Sequence, residues 1–293
     1  MNKNNCFLLF KIIFTFFLFS ACSKSNELIT DEDNGSDNNG SDVGQYYSYY
    51  KAADGKSGAQ LKTALHSIIK VVKRLTYGSG PGRTWSGFEK TDLHPNGHVW
   101  DMYSNNKVKF PGGGEAAPGM NIEHSVAKSW WGGKENDAYK DLYHLNPSNI
   151  QANSARSSFP LGIVKNGQVT GTIKVGANSY GTTYNGTSFE PLDEYKGDFA
   201  RAYLYMFTCY EDLTWSSSNA KTMLTSARYP MLQAWAAQML VEWSRMDPPS
   251  KKELDRAEAI YKIQQNRNPY IDYPELVEYL WGNKTGKPFY FRK

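Results

Sequence analysis

The chain has 293 residues, 40% of them hydrophobic and 14% aromatic, with a formal net charge of +4. These values exclude an extreme electrostatic class and are ample for one large domain with a packed core. The charge is uneven: residues 1–22 carry two lysines, and residues 23–44 carry one lysine against six acids. That leaves 45–293 mildly basic, which fits a polyanionic partner as well as it fits an ordinary solvated surface.

Residues 1–22 read MNKNNCFLLFKIIFTFFLFSAC. A short basic start precedes an apolar run of about ten residues, too short to cross a bilayer as a helix. The string resembles a bacterial lipoprotein signal, cleaved before Cys22 with a lipid then placed on that thiol. Phe19 stands where leucine is more usual, and a plain secretory signal is the alternative. Residues 23–44 are mostly Asp, Asn, Gly and Ser and have almost nothing to bury, so they are predicted to be a disordered acidic tether. The body, 45–293, is predicted to be a single domain. It is expected to be exported and lipid-anchored to a bacterial membrane, on the periplasmic side or at the cell surface. The three cysteines are Cys6, Cys22 and Cys209. They imply no disulfide framework, and Cys209 reads as a small buried hydrophobe.

Along the body, apolar residues at 61, 65, 68, 72 and 75 predict an amphipathic helix over 57–75. The Gly/Pro-rich string at 77–87 reads as loop, and 99–104 alternates enough to be a strand. A second Gly/Pro-rich loop at 111–119 leads into the string NIEHSVAKSWWGG at 121–133. Between 163 and 189 short apolar runs separated by Asn-Gly turns predict strands and hairpins. From Lys196 on the chain reads as helical. Residues 199–210 are apolar nearly all round, and Pro230 opens a helix over 231–245. Ser250 to Glu253 is a capping box for a helix running to about 265, and Pro274 starts a last helix that Gly282 ends. No internal repeat is present, and the class is α+β, a small antiparallel sheet flanked by several helices.

Glu123, His124 and, 29 residues beyond, Asn153 are three parts suited to cutting a phosphodiester. The reaction needs a base for water, a cation for the charge on the phosphorane, and help for the leaving oxygen. Histidine suits the base at neutral pH. A hard ion such as Mg²⁺ takes oxygen ligands and keeps several waters, so one carboxylate and one carboxamide are a plausible protein share. Adjacent Glu and His face opposite ways on a regular strand, so the two converge only where a strand breaks into a loop. Residues 148–158 read as a short helix capped by Ser148 or Asn149, with Asn153 and Arg156 three apart on one face. Arg156 would then meet a phosphate oxygen.

The strings resemble the endonuclease I family of His-Me finger (ββα-metal) nucleases, secreted or periplasmic enzymes that degrade DNA and often RNA. The residues that carry the resemblance are Ile122-Glu123-His124, Ser129-Trp130, Asp141-Leu142-Tyr143-His144-Leu145-Asn146-Pro147 and Ala152-Asn153-Ser154-Ala155-Arg156. Weaker matches extend it over about 85–281. The resemblance implies His124 as general base and Glu123 and Asn153 as ligands of one Mg²⁺, with Mn²⁺ or Ca²⁺ as possible substitutes. It implies cleavage to 5′-phosphate and 3′-hydroxyl ends, largely without sequence preference, the partner being DNA, with RNA as an alternative, held through its backbone. The chain departs from the pattern at Ala127, where Pro is frequent, and at Ser158, where Asn is frequent. A second phosphate-neutralising arginine of the family has no clear counterpart, so Arg156 is placed in that role, with a brace to a carboxylate as its alternative.

Asp141 and His144 are expected behind the site, as braces for the side chains that form it. His94 and His98 lie on a loop with no third ligand near. His66 reads as a surface or boundary residue, and Trp85, Trp130 and Trp131 as core or rim. The rival reading is a non-catalytic surface lipoprotein that binds glycan or nucleic acid.

Overall fold

The computed structural model describes residues 46–104, 106–181 and 183–293. The leader, the acidic tether, Cys6 and Cys22 lie outside these described residues. Ten α-helices and five strands are described, in an α+β arrangement. Strands β1 (Met120–His124) and β2 (Leu145–Asn149) pair antiparallel, with Glu123 opposite Asn146 and His124 opposite Leu145. Helix α4 (Ile150–Arg156) follows β2 directly, capped by the Asn149 side chain, which accepts from the Gln151 and Ala152 amides. This is the ββα order expected of a His-Me finger. A second antiparallel sheet has the order β3 (Gln168–Thr170), β4 (Ile173–Ala177), β5 (Thr187–Glu190), as the Asn-Gly punctuation predicts.

The core is built around α5 (Lys196–Cys209), every residue of which is buried. It packs on α7 (Ala234–Met246) and on α2 (Gly58–Ile69), which follows the short α1 (Tyr47–Tyr50). Gly197 is required there: a Cβ on it would lie 1.9 Å from the Asp247 carbonyl oxygen. Helix α8 (Lys251–Gln264) is tied to α5 by the buried Arg201–Glu253 pair, whose Nε–Oε1 distance is 2.8 Å. The remaining helices are α3 (Thr84–Thr91), α6 (Ser218–Met223), α9 (Pro269–Asp272) and α10 (Leu276–Leu280).

Several local expectations are corrected. Helix α2 stops at Ile69 rather than at 75, because the chain leaves to place Arg74 on Asp141, 2.9 Å away, and Lys73 N–H on the Gln264 carbonyl. The 77–87 loop gives way to α3 at Thr84. Its Gly87 is a packing residue, since a Cβ there would meet Leu75 at 2.8 Å. Residues 99–104 form no strand. Asp101 accepts from the Tyr103 and Asn149 amides and the Ser104 hydroxyl, which folds the segment into a turn. Helix α7 begins at Ala234, after Leu232 has bridged Leu224, and α6 is not anticipated by the sequence. Ser250 caps α8, but the Glu253 carboxylate turns to Arg201, so half of the capping box is made. The last helix starts at Leu276, two residues after Pro274.

Candidate active site

β1 ends at His124, and both Glu123 and His124 border one cavity of about 600 Å³ with Asn121, Asn153 and Arg156. Tyr77, Trp85, Lys128, Ser129, Ser157 and Ser158 complete much of its lining. The structure thus brings together the four residues the sequence singles out, from the end of a strand and one face of α4. Of the two caps the sequence offers for α4, Asn149 is the one used.

His124 is 4% exposed. Its Nε2 lies 3.0 Å from the Tyr139 carbonyl oxygen, which accepts and never donates, so Nε2 carries the proton. The other nitrogen, Nδ1, makes no hydrogen bond among the described residues and holds the free lone pair. Burial pushes the imidazolium pKa well below its usual value, and His144 adds to the shift, so the ring is neutral at pH 7. Tyr77 stacks on it, with ring centroids 5.6 Å apart.

Glu123 is also 4% exposed, and burial pushes its carboxyl up to about 7, with the Arg156 guanidinium opposing. Arg156 Nη1 is 3.1 Å from Oε1, yet no N–H is aimed at that oxygen, so the contact is an ion pair without a hydrogen bond. Oε1 is therefore a buried oxygen with unused acceptor capacity. The Asn153 amide nitrogen donates to Asn121 Oδ1 at 2.8 Å, which leaves its carbonyl oxygen as the atom able to ligate. A buried carboxylate bordering the cavity, a carboxamide oxygen and room for water fit a hydrated hard cation. No cluster of three His, Cys, Asp or Glu is present among the described residues.

Arg156 does not have the freedom that phosphate contact asks for. It is 1% exposed, and Nη1 donates to the His124 carbonyl while Nη2 donates to the Ser125 carbonyl and the Tyr203 hydroxyl. Its guanidinium also faces the Phe189 ring at 4.8 Å. In this arrangement it braces the end of β1. The next residue, Ser157, has φ of +56°, a conformation that costs a non-glycine residue about 1–3 kcal/mol and recurs at functional sites.

Asp141 does not reach the cavity. It is a fully buried hub that accepts from Arg74, Tyr205, Tyr210 and Gln264 side chains and the Tyr143 amide. His144 is buried behind His124, ring centroids 5.5 Å apart, and its Nε2–H donates to the Ala138 carbonyl at 2.6 Å. His66, expected near the surface, is buried, its Nδ1–H shared by the Thr208 and Cys209 carbonyls. His94 and His98 are half-buried on their loop. Trp85, Trp130 and Trp131 are core, and Cys209 is a free buried thiol. The sequence reading missed Asn121, Tyr139 and Lys128. Asn121 opens the NIEH string, but nothing in its spacing marks it, and Tyr139 acts through a backbone carbonyl that any residue carries.

An imidazole, a carboxylate and a carboxamide at the end of a ββα unit are the equipment of a phosphodiester hydrolase. The comparisons place it further: the Endonuclease I family model matches residues 57–275, and the chain belongs to that family of generally metal-dependent nucleases. It is a hydrolase acting as an endonuclease on nucleic acid. It is 36% identical over 248 residues to an extracellular ribonuclease of Bacillus amyloliquefaciens, covering 80% of this chain and 78% of that protein. It is 37% identical over 244 residues to an extracellular ribonuclease of Bacillus subtilis (strain 168), with the same shares covered. The rival reading as a non-catalytic binding protein is set aside by this membership.

Proposed function

We propose that the protein is an exported, Mg²⁺-dependent endonuclease that hydrolyses RNA and DNA without sequence preference, leaving 5′-phosphate and 3′-hydroxyl ends. The observation that carries this reading is the His124 tautomer. With Nε2–H held by the Tyr139 carbonyl, Nδ1 is a neutral base bordering the cavity that Glu123 and Asn153 share. Nδ1 takes the proton of the attacking water, and the low imidazolium pKa keeps it available for that step at neutral pH. Glu123 and Asn153 would hold the ion, with Mn²⁺ or Ca²⁺ as substitutes. When bound, it would supply positive charge to the phosphorane and to the departing 3′ oxygen.

RNA as a substrate is supported by the names of the Bacillus relatives, and breadth by a substrate held through its phosphate backbone, whose contacts carry no sequence information. Export is supported by the apolar leader and by the extracellular relatives. A lipid on Cys22 is our reading of the leader, and mass measurement of the mature amino terminus tests it. The central experiment is digestion of plasmid and of RNA by the purified protein with Mg²⁺, with chelator, and with His124→Ala. The variant is expected to lose about 100-fold or more in rate. Full cleavage by His124→Ala would remove the proposed base, and full cleavage in chelator would remove the metal.

A further inference from the structure

We infer that Lys128 is the cation that contacts the phosphate being cut, positioned for it by the Tyr139 hydroxyl. The inference rests on the proposed reading of the same cavity. Among the described residues that line it, two side chains carry a permanent positive charge, Arg156 and Lys128. Arg156 is committed inward, to Glu123, the His124 and Ser125 carbonyls and Tyr203.

Lys128 has the opposite environment. It is exposed and forms no ion pair among the described residues. Its Nζ lies 3.2 Å from the Tyr139 hydroxyl and 5.2 Å from the centre of that ring. It sits in the short 3-10 turn Lys128–Trp131, which follows β1 after three intervening residues. Tyr139 therefore holds two groups at once: its carbonyl takes the His124 Nε2–H, and its hydroxyl and ring hold the Lys128 ammonium. This couples the place of the base to the place of the charge.

An ammonium at the lip of the cavity, with no carboxylate in ion-pair contact among the described residues and only a weaker pull from the more distant Glu123, has its charge available for a ligand. Charge on the phosphate grows from ground state to phosphorane, so a fixed cation there favours the transition state over the substrate. Lysine supplies it as a compact point charge. The loss should therefore fall on kcat more than on KM.

The test uses a short oligonucleotide whose one natural phosphodiester is flanked by neutral methylphosphonates, beside the all-natural oligonucleotide. Wild type is compared with Lys128→Gln, Lys128→Arg, Tyr139→Phe and Lys165→Gln, the last an exposed lysine outside the cavity. Lys128→Gln is expected to lower kcat on the single-phosphate substrate about tenfold to a hundredfold. Lys128→Arg should recover most of it, Tyr139→Phe should lose severalfold, and Lys165→Gln should not change. Loss confined to the all-natural oligonucleotide would put Lys128 on a neighbouring phosphate and overturn the inference. Equal kcat for wild type and Lys128→Gln would overturn it as well. His124→Ala is run in the same series: its retaining activity would sink the proposed base while leaving the Lys128 comparison readable.

Discussion

A carboxamide presents a donor at one end and an acceptor at the other, and only the acceptor ligates a cation. In this site the choice is made by Asn121, whose Oδ1 takes the Asn153 amide nitrogen at 2.8 Å. Replacing it by Leu keeps similar bulk and removes the acceptor, so the Asn153 amide is free to turn. Groups that orient a ligating residue typically contribute tenfold to a hundredfold in metal affinity. Asn121→Leu is accordingly expected to weaken Mg²⁺ or Mn²⁺ binding by about that factor, read by calorimetric titration, with the unfolding midpoint little changed. Unaltered affinity would remove this role from Asn121. At this scale the sequence displays the reactive side chains and hides their supports. Glu123, His124 and Asn153 are legible because few residue types do such chemistry. The supports are legible only when a distance is known, as with Tyr139, which holds His124 through its main chain.

At the scale of elements, the site depends on β1 ending at His124 and on α4 returning across that end. Arg156 links the two by donating from α4 to the carbonyls of His124 and Ser125. The larger scaffold depends on α5, whose Arg201 meets Glu253 of α8 in a buried bidentate pair and also donates to the Asp247 carbonyl. Deleting one partner of such a pair strands the other charge in the core, at a cost of about 3–5 kcal/mol. Glu253→Ala should show that loss in urea unfolding, and a loss below about 1 kcal/mol would mean that α5 and α8 are held by packing alone. Element identity was readable here from periodicity and capping residues: α2, α5, α8 and the hairpins all appear where the pattern puts them. Their ends were not. Glu253 has the right place for a capping box, yet a buried arginine competes for its carboxylate and wins. Likewise α2 stops well short of its predicted end because Arg74 has a buried partner in Asp141.

For the whole molecule, stability should depend on pH through buried histidine. Burial lowers the His144 pKa from 6.5 to about 4, with Asp141 opposing, while its Nδ1 has no partner. Between those values the unfolded chain binds the proton and the folded chain does not, so stability rises with pH across the interval. The contribution is full above pH 6.5 and is lost as pH falls toward 4. A shift of that size corresponds to about 3 kcal/mol. Glu123, raised to about 7, acts in the opposite direction over part of the range, so the effect is best read as a difference. The stability of wild type relative to His144→Gln should decline by about 3 kcal/mol from pH 6.5 to pH 4 in urea titrations. A difference that stays constant with pH would mean that His144 titrates normally in the folded protein.

The sequence by itself determined the α+β class, the family strings, the order in which the reactive residues arrive and the composition of the leader. These are properties of residue type and spacing along one dimension. Tertiary structure decided what each reactive group is free to do. Arg156 and Lys128 are both cations near the motif, and the three-residue step from Asn153 favours Arg156 for the phosphate. Folding buries the first among carbonyls and beside Glu123 and leaves the second exposed at the cavity lip. The physical reason is that the availability of a charge depends on which partners surround it in space, and those partners come from segments far apart in the chain.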